Sequence, residues 1–127
     1  MSGRFIIVKE FGFEAAHSFA HKPAGHETTR VHGHSFKVEV ALAGEPDVKS
    51  GCVVDFETVT QAIDGVRAKL DHHFLNDIEG LGTPSLENLA RWIAGQLRPH
   101  FSQLASVTVR RPTLGESCRF DLDSSRA

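Results

Sequence analysis

Two short stretches decide the fold and the chemistry of this chain: Phe-Gly-Phe-Glu-Ala-Ala-His at residues 11–17 and Val-His-Gly-His-Ser-Phe at residues 31–36. Five of the eight histidines lie between His17 and His34. His32 and His34 are two residues apart, and side chains at that spacing lie on the same face of a β-strand. The first stretch alternates like a strand, so it can lie beside the second and present His17 to that face.

Three histidines on neighbouring strands predict a metal site. A set such as His17, His32 and His34 leaves one coordination position open, which is typical of catalytic rather than structural zinc. Neutral imidazoles bind zinc through one ring nitrogen, while a hydrogen bond to the other nitrogen orients the ring. From the residues alone, the alternative is a chance pair of histidines on a solvated strand face. Three other histidines are expected at the surface or in loops: His21, His26 and His100.

Length and composition exclude several classes of protein. A chain of 127 residues can bury a core without covalent staples, and we expect one domain over residues 1–127. The formal charge of −2 makes nucleic acid and membrane surfaces unexpected partners. No apolar run suits a signal peptide or a membrane span, which predicts a cytoplasmic chain. Cys52 and Cys118 lack metal-site or redox spacing, so we expect both to be reduced and buried.

The chain predicts an α+β fold with the element order β-β-α-α-β-β. Strands are expected over residues 5–16, 31–43, 107–110 and 117–122, and residues 18–29 form a polar loop. This order favours an antiparallel four-stranded sheet with both helices on one face. Two free sheet edges favour pairing with another copy, so we expect a homo-oligomer. The tail from Ser124 to Ala127 is expected to fray.

Two amphipathic helices are predicted between the second and third strands. Apolar residues recur every three or four positions over residues 56–70, and Asp55 is the expected N-cap. A second apolar stripe covers residues 86–97. Thr83 is the expected cap of this helix, with Pro84 in the first helical position.

Asp71 and His72 predict an acid/base pair. A carboxylate close to an imidazole fixes its tautomer and raises its basicity. Adjacent residues do not face one another within a regular helix, so this pair would have to lie at the helix end. The alternative is a polar helix end where the dipole favours histidine, which is the interpretation we keep for His73. Glu27 and Glu116 are further candidate carboxylates, and the alternative for each is a solvated surface group.

Five segments, in this order, resemble the 6-pyruvoyl-tetrahydropterin synthase family. They are Phe-Glu-Ala-Ala-His at 13–17, Val-His-Gly-His-Ser-Phe at 31–36, Val-Asp-Phe at 54–56, Leu-Asp-His-His-Phe-Leu-Asn-Asp at 70–77 and Pro-Ser-Leu-Glu-Asn at 84–88. The likeness is greatest to the bacterial branch, 6-carboxy-tetrahydropterin synthase of queuosine biosynthesis. It implies the T-fold (tunnelling fold), in which sheets of several subunits close into a barrel. Two trimers then stack into a hexamer, with active sites at subunit interfaces.

The resemblance also implies roles for individual residues. His17, His32 and His34 match the zinc ligands of the family, and Asp71 and His72 match its acid/base pair. In family members zinc holds the oxygens of a dihydropterin side chain while a cysteine thiolate moves a proton. The implied substrate is 7,8-dihydroneopterin triphosphate, from which the bacterial branch releases acetaldehyde and triphosphate and leaves a carboxylate on the pterin.

Two positions depart from the family pattern. The cysteine expected four residues before the His-Gly-His motif is Thr28, whose hydroxyl is a far weaker acid than a thiol. Glu27 is the expected substitute base, since some family members use a glutamate in this loop. The glutamate that anchors the pterin ring in the family corresponds to Arg111, which prefers a carboxylate or phosphate partner. Glu116 would reach the pocket only if the intervening turn were rebuilt.

The chain is therefore expected to be a zinc-dependent lyase acting on the side chain of a dihydropterin. Retro-aldol cleavage needs fewer proton transfers than the full 6-carboxy-tetrahydropterin synthase reaction, although the synthase activity is the first to test. One alternative is a paralog acting on a non-pterin metabolite whose acidic group is bound by Arg111. The other is a ligand-binding T-fold protein that kept zinc and lost catalysis.

Overall fold

The chain folds around one antiparallel sheet with two helices on one face. A computed structural model describes residues 1 and 3–122. The predicted α+β fold is confirmed, and the sheet order is β1-β2-β3-β4. The expected fraying of the tail concerns residues that lie outside the described part. The elements are β1 Phe5–His17, β2 His32–Gly44, α1 Phe56–Leu70, α2 Leu86–Leu97, β3 Leu104–Arg111 and β4 Glu116–Asp121.

One face of the sheet and the apolar stripes of both helices form the core. Phe13 on β1 pairs with Phe36 on β2, and their rings stack with centroids 4.9 Å apart. The next pair on the same face towards the end of β1 is Ala15 and His34, so the core face runs directly into the histidines. The helices contribute their buried residues to the same core: Val59, Ile63, Val66, Leu70, Leu86, Leu89, Ala90, Ile93, Ala94 and Leu97.

The second helix begins later than its sequence predicts. Ser85 is the N-cap, because its hydroxyl accepts a hydrogen bond from the Asn88 backbone N–H at 3.1 Å. The assignment of Thr83 as the cap is therefore wrong, and Pro84 lies before the helix. Asp55 is confirmed as the cap of α1, since its carboxylate accepts from a backbone N–H of the first turn at 2.9 Å.

Two side chains expected in the core are exposed. Cys52 is exposed because it follows a turn at Gly51 and lies outside the strands, where no sheet neighbour covers it. Phe56 is 46% exposed, since it is the first residue of α1 and precedes the turn that packs on the sheet. Cys118 is partly buried and packs against the core. Neither helix of the described chain combines the length and the hydropathy that a bilayer crossing requires.

The segment after α1 runs back along the outer edge of β1. The His72 backbone N–H donates to the Glu14 carbonyl at 2.6 Å, and the Ala16 N–H donates to the His73 carbonyl at 3.1 Å. This segment covers the end of the β1 edge that lies near the histidines. The other end of β1 carries exposed apolar side chains: Phe5, Ile6 and Val8.

Candidate metal centre and active site

Three imidazoles converge where β1 ends and β2 begins. His17 pairs with His32 in the strand register, and His34 lies two residues further along the same face. The ring centroids are 4.6 Å apart for His17–His32 and 4.9 Å apart for both His17–His34 and His32–His34. One potential ligand nitrogen from each ring lies within 4.8 Å of the other two. This is the convergence that a single ion requires.

Backbone carbonyls orient two of the three rings. His17 Nδ1 donates to the Pro84 carbonyl at 3.0 Å, and His32 Nδ1 donates to the Arg30 carbonyl at 2.8 Å. A carbonyl can only accept, so these partners assign the ring proton to Nδ1. Nε2 of each ring is then an unprotonated nitrogen that can bind a metal.

The surroundings of His17 fit a metal ion. Its Nε2 is buried and has no hydrogen-bond partner within the described part of the chain, which is costly for a polar atom. Burial lowers the pKa of His17 to about 4, and burial also lowers the pKa of His34. Both rings are therefore neutral near pH 7, as metal ligands must be. Three neutral imidazoles suit zinc with one open position.

A cleft of about 880 Å³ opens beside His32 and His34. It is bounded by the loop between β1 and β2, the end of β3 and the start of β4. This arrangement brings the proposed metal centre together with one group of candidate residues. Four predicted site residues line the cleft: Glu27, Thr28, Arg111 and Glu116.

A short 3-10 turn, Glu27–Thr29, holds the loop against the cleft. His26 caps this turn, because its Nδ1 accepts from the Thr28 backbone N–H at 3.2 Å and lies 2.7 Å from the Thr28 hydroxyl. The Phe19 N–H donates to the Thr28 carbonyl at 2.8 Å and closes the base of the loop. Among the described residues, no side chain forms an ion pair or hydrogen bond with the Glu27 carboxylate, so it is free to meet a ligand.

The turn between β3 and β4 places Arg111 and Glu116 directly opposite each other. The turn is a single 3-10 segment, Pro112–Leu114, closed by Gly115 with φ at 67°, a conformation that favours glycine. Arg111 Nε lies 2.9 Å from Glu116 Oε1, which makes an ion pair. This compact turn brings Glu116 to the cleft.

Asp71 and His72 face each other at the end of α1. His72 adopts φ of 59°, which is uncommon outside glycine and turns its ring towards Asp71. The Asp71 carboxylate lies 3.0 Å from His72 Nδ1 and 3.3 Å from the Arg67 guanidinium, and it accepts from the Glu14 N–H at 2.9 Å. The hydrogen bond from Glu14, followed by that from His72, lowers the pKa of Asp71. Asp71 is therefore an anion that can orient the imidazole.

His72 lines a second cleft, of about 630 Å³, bounded by the end of β1, the start of β2 and the segment after α1. Gly33 and His34 line both clefts. Within one chain the predicted acid/base pair is thus separated from the cleft of Glu27 and Thr28. The larger cleft is the better candidate for the ligand, because it meets two of the three histidines.

Several features of the site could not be predicted from the residue types. The carbonyls of Pro84 and Arg30 orient His17 and His32, yet every residue has a carbonyl, so only the three-dimensional structure identifies these two. Lys22 also lines the larger cleft. Its position in the polar loop was the only feature of the sequence that pointed to a place in the site.

Comparison with known sequences agrees with this geometry. Residues 6–122 match the 6-pyruvoyl tetrahydropterin synthase family. A 6-carboxy-5,6,7,8-tetrahydropterin synthase from Synechocystis sp. is 40% identical over 98 residues, which cover 73% of this chain and 74% of that protein. A dihydroneopterin monophosphate aldolase from Pyrococcus furiosus is 34% identical over 117 residues, covering 92% and 94%.

Solved structures share the same fold. The 6-pyruvoyl tetrahydropterin synthase of Caenorhabditis elegans superimposes with a TM-score of 0.84 at 24% identity, covering 95% of this chain and 97% of that chain. A Plasmodium vivax 6-pyruvoyltetrahydropterin synthase, a variant with a catalytic glutamate replaced by alanine, has a TM-score of 0.73 at 19% identity, covering 95% and 100%. The predicted T-fold of the chain is confirmed, whereas its closure into an oligomeric barrel stays a prediction.

Proposed function

Because the chain belongs to the 6-pyruvoyl tetrahydropterin synthase family, we propose that it is a zinc-dependent lyase that breaks a carbon–carbon bond in a dihydropterin side chain. The substrate would be 7,8-dihydroneopterin triphosphate or a related dihydropterin. The observation that carries the proposal is the unpaired, buried Nε2 of His17, which converges with His32 and His34 beside an open cleft. Similarity to a dihydroneopterin monophosphate aldolase over 92% of the chain supports side-chain cleavage.

The three histidines would hold the metal. His17, His32 and His34 are neutral ligands whose ring nitrogens converge. Three ligands leave the fourth coordination position of zinc open for the substrate. Zinc bound there would supply a Lewis acid that polarises neighbouring oxygens of the substrate side chain. The rest of the reaction depends on groups of the chain that move protons.

A retro-aldol cleavage needs one proton removed and one returned. A base takes the proton of a side-chain hydroxyl, the adjacent carbon–carbon bond breaks to give an aldehyde, and the other carbon takes up a proton. We assign the base to Glu27, whose unpaired carboxylate lines the cleft. The Thr28 hydroxyl, held by His26, would serve as a hydrogen-bonding group rather than as an anion.

We assign the returning proton to His72, with Asp71 as its partner at 3.0 Å. The carboxylate stabilises the protonated imidazole that such a step uses. Since His72 faces the smaller cleft of its own chain, a second subunit would supply the pair to the larger cleft. The exposed apolar end of the β1 edge supports such an assembly, for which we expect a hexamer of two stacked trimers.

A second candidate activity is 6-carboxy-tetrahydropterin synthesis, favoured by 40% identity to the Synechocystis synthase. It would require Glu27 or Thr28 to perform the proton transfers of a thiolate. Product analysis separates the two reactions, because cleavage leaves a hydroxymethyl group on the pterin and synthesis leaves a carboxylate.

The test is turnover of dihydroneopterin, its monophosphate and its triphosphate, with products separated by chromatography. We expect an aldehyde and a hydroxymethyl-dihydropterin. Glu27→Gln should lower kcat by about 10²–10⁴-fold, the usual contribution of a general base. Glu45→Gln, an exposed glutamate outside the two clefts, is the control and should change nothing.

Two results would reject the proposal. Failure to turn over any pterin would favour a binding protein or a different substrate class. Purified protein without zinc, with no difference in metal content between the natural chain and His34→Ala, would remove the metal centre.

A further inference from the structure

Two buried side-chain polar atoms in the described part of the chain lack a hydrogen-bond partner: His17 Nε2 and Arg111 Nε. The first is a proposed zinc ligand, whereas the second has no role in the reaction above. The Arg111 side chain is only 15% exposed. Burying a guanidinium N–H without a hydrogen bond is unfavourable, so its position needs a physical reason.

Glu116 does not satisfy the Arg111 guanidinium. The two groups are close enough for an ion pair, at 2.9 Å, but the N–H of Arg111 is not directed at the carboxylate oxygen in a hydrogen bond. Arg119 on β4 shows the contrast, because it makes two hydrogen bonds to Asp121, at 2.7 and 3.1 Å. Glu116 is also half exposed, so a ligand can displace it.

Arg111 lies next to the histidines on the core face. Its neighbour Arg110 pairs with Lys37 of β2, which puts Arg111 level with Phe36 and beside His34. Arg111 and His34 both line the larger cleft. A group bound by Arg111 would therefore be held close to the proposed metal.

The larger cleft has an excess of positive charge. Lys22, Arg30 and Arg111 line it, against two carboxylates, Glu27 and Glu116. A zinc ion would increase this excess. Such a cleft attracts anions, and the planar guanidinium of Arg111 matches the two oxygens of a phosphate or carboxylate.

We propose that Arg111 binds an oxyanion group of the ligand, a phosphate or a carboxylate, beside the metal centre. In the absence of ligand, Glu116 neutralises the guanidinium, and the incoming oxyanion takes its place. The anion binding itself does not depend on the reaction. Its assignment to a substrate, as an anionic dihydropterin, rests on the proposed function.

The experiment titrates inorganic phosphate into the full-length protein by calorimetry, with zinc content measured and matched between variants. Arg111→Gln should weaken phosphate binding by about tenfold or more, because the bidentate, charge-assisted contact is lost. Arg110→Gln is the matched control. Arg110 is the adjacent residue on the opposite face of β3, ion-paired with Glu39 at 2.9 Å, and its removal should leave phosphate affinity unchanged. A parallel titration with acetate separates carboxylate from phosphate as the preferred group.

For a third variant, we expect the phosphate affinity to change in the opposite direction. Glu116→Gln should bind phosphate more tightly than the natural chain, since the competing carboxylate charge is gone. Arg111→Lys keeps the charge but not the planar fork, so its affinity should lie between those of the natural chain and Arg111→Gln. If Arg111→Gln does not fold, Arg111→Lys can be measured in its place.

Equal phosphate affinity in the Arg111 and Arg110 variants would overturn the inference, and so would weaker binding in Glu116→Gln or no anion binding by the natural chain. The outcomes separate this inference from the proposed reaction. Loss of phosphate binding in Arg111→Gln, in a protein that turns over no pterin, would uphold the anion site and reject the lyase. Unchanged phosphate binding in an active lyase would reject the anion site alone.

Discussion

At the scale of single residues, the site depends on polar atoms placed where water is excluded. His17 is fully buried, with one ring nitrogen on the Pro84 carbonyl and the other without a partner among the described residues. A hydrophobic residue would be more favourable in a plain core, and the zinc that we propose His17 binds would explain a histidine here. Arg111 is the second such case, at the opposite side of His34.

The lowered pKa of His17 predicts how stability depends on pH in the metal-free protein. The folded-state pKa is about 4 and the ordinary value is 6.5, so between them the unfolded chain holds the extra proton. Stability is therefore lost as the pH falls from about 6.5 towards 4, by up to about 1.4 kcal/mol per pH unit for this group. The lowered pKa of His34 acts in the same direction.

Urea unfolding of chelator-treated protein at pH 7 and pH 5 measures this loss. His17→Gln should reduce the dependence on pH, and His100→Gln, at an exposed position, should leave it as in the natural chain. Equal dependence in all three proteins would show that His17 is not the responsible group.

At the scale of elements, the start of α2 connects helix capping to the proposed metal centre. Ser85 caps the helix, and the carbonyl of the preceding Pro84 orients His17. The Val-His-Gly-His strand alone cannot complete the site, because the third ring is held by a residue 67 positions away in the chain. The start of α2 therefore supports His17, one of the proposed metal ligands.

Loss of the Ser85 cap should affect both stability and zinc. Ser85→Ala is expected to lower the free energy of unfolding by about 1 kcal/mol. It should also weaken zinc binding, by up to about tenfold, because the carbonyl that orients a ligand is less well held. Asp55→Ala removes the equivalent cap of α1, whose start provides no carbonyl to the rings of His17 and His32, and is the control.

Both variants should lose similar stability in denaturant unfolding. Only Ser85→Ala should show a raised dissociation constant in a competition with a zinc chelator. Equal zinc affinity in the two variants would show that the start of α2 does not influence the proposed metal centre.

At the scale of the whole molecule, the candidate groups divide between two clefts that share Gly33 and His34. Glu27 faces one cleft and His72 faces the other. A site that needs both groups is completed most simply by another copy of the chain. The partly uncovered edge of β1 is the surface on which such a copy could pair.

Mixing two inactive variants tests this assembly. Glu27→Gln and His72→Gln should each be nearly inactive alone. If each site takes Glu27 from one subunit and His72 from its neighbour, random mixed oligomers recover activity in about one quarter of their sites. The measurement is turnover after the two variants are co-expressed, or unfolded and refolded together.

A mixture of each variant with itself is the control and should stay inactive. No recovery in verified mixed oligomers would place both groups in the site of one chain.

Local patterns were sufficient for most of the secondary structure. Alternation placed β1 and β2, and apolar spacing placed both helices, because each pattern directly reflects one buried face. The prediction was wrong for Thr83. Thr83 and Ser85 both carry a hydroxyl that can cap a helix, and the residue at which α2 begins decides which of them is the N-cap. The prediction was also wrong for Cys52, because burial depends on which element lies above a residue and not on its own type.

The residues themselves determined the three histidines, their common strand face and the ligand chemistry on which the proposed metal site rests, because a two-residue period is a local property of a strand. Tertiary structure decided which nitrogen of His17 is left without a partner, through a carbonyl that is distant in sequence. It also decided that Arg111 meets Glu116 across one tight turn, while His72 faces the other cleft. These are relations between segments set by strand register and turn geometry, which no single stretch of the chain contains.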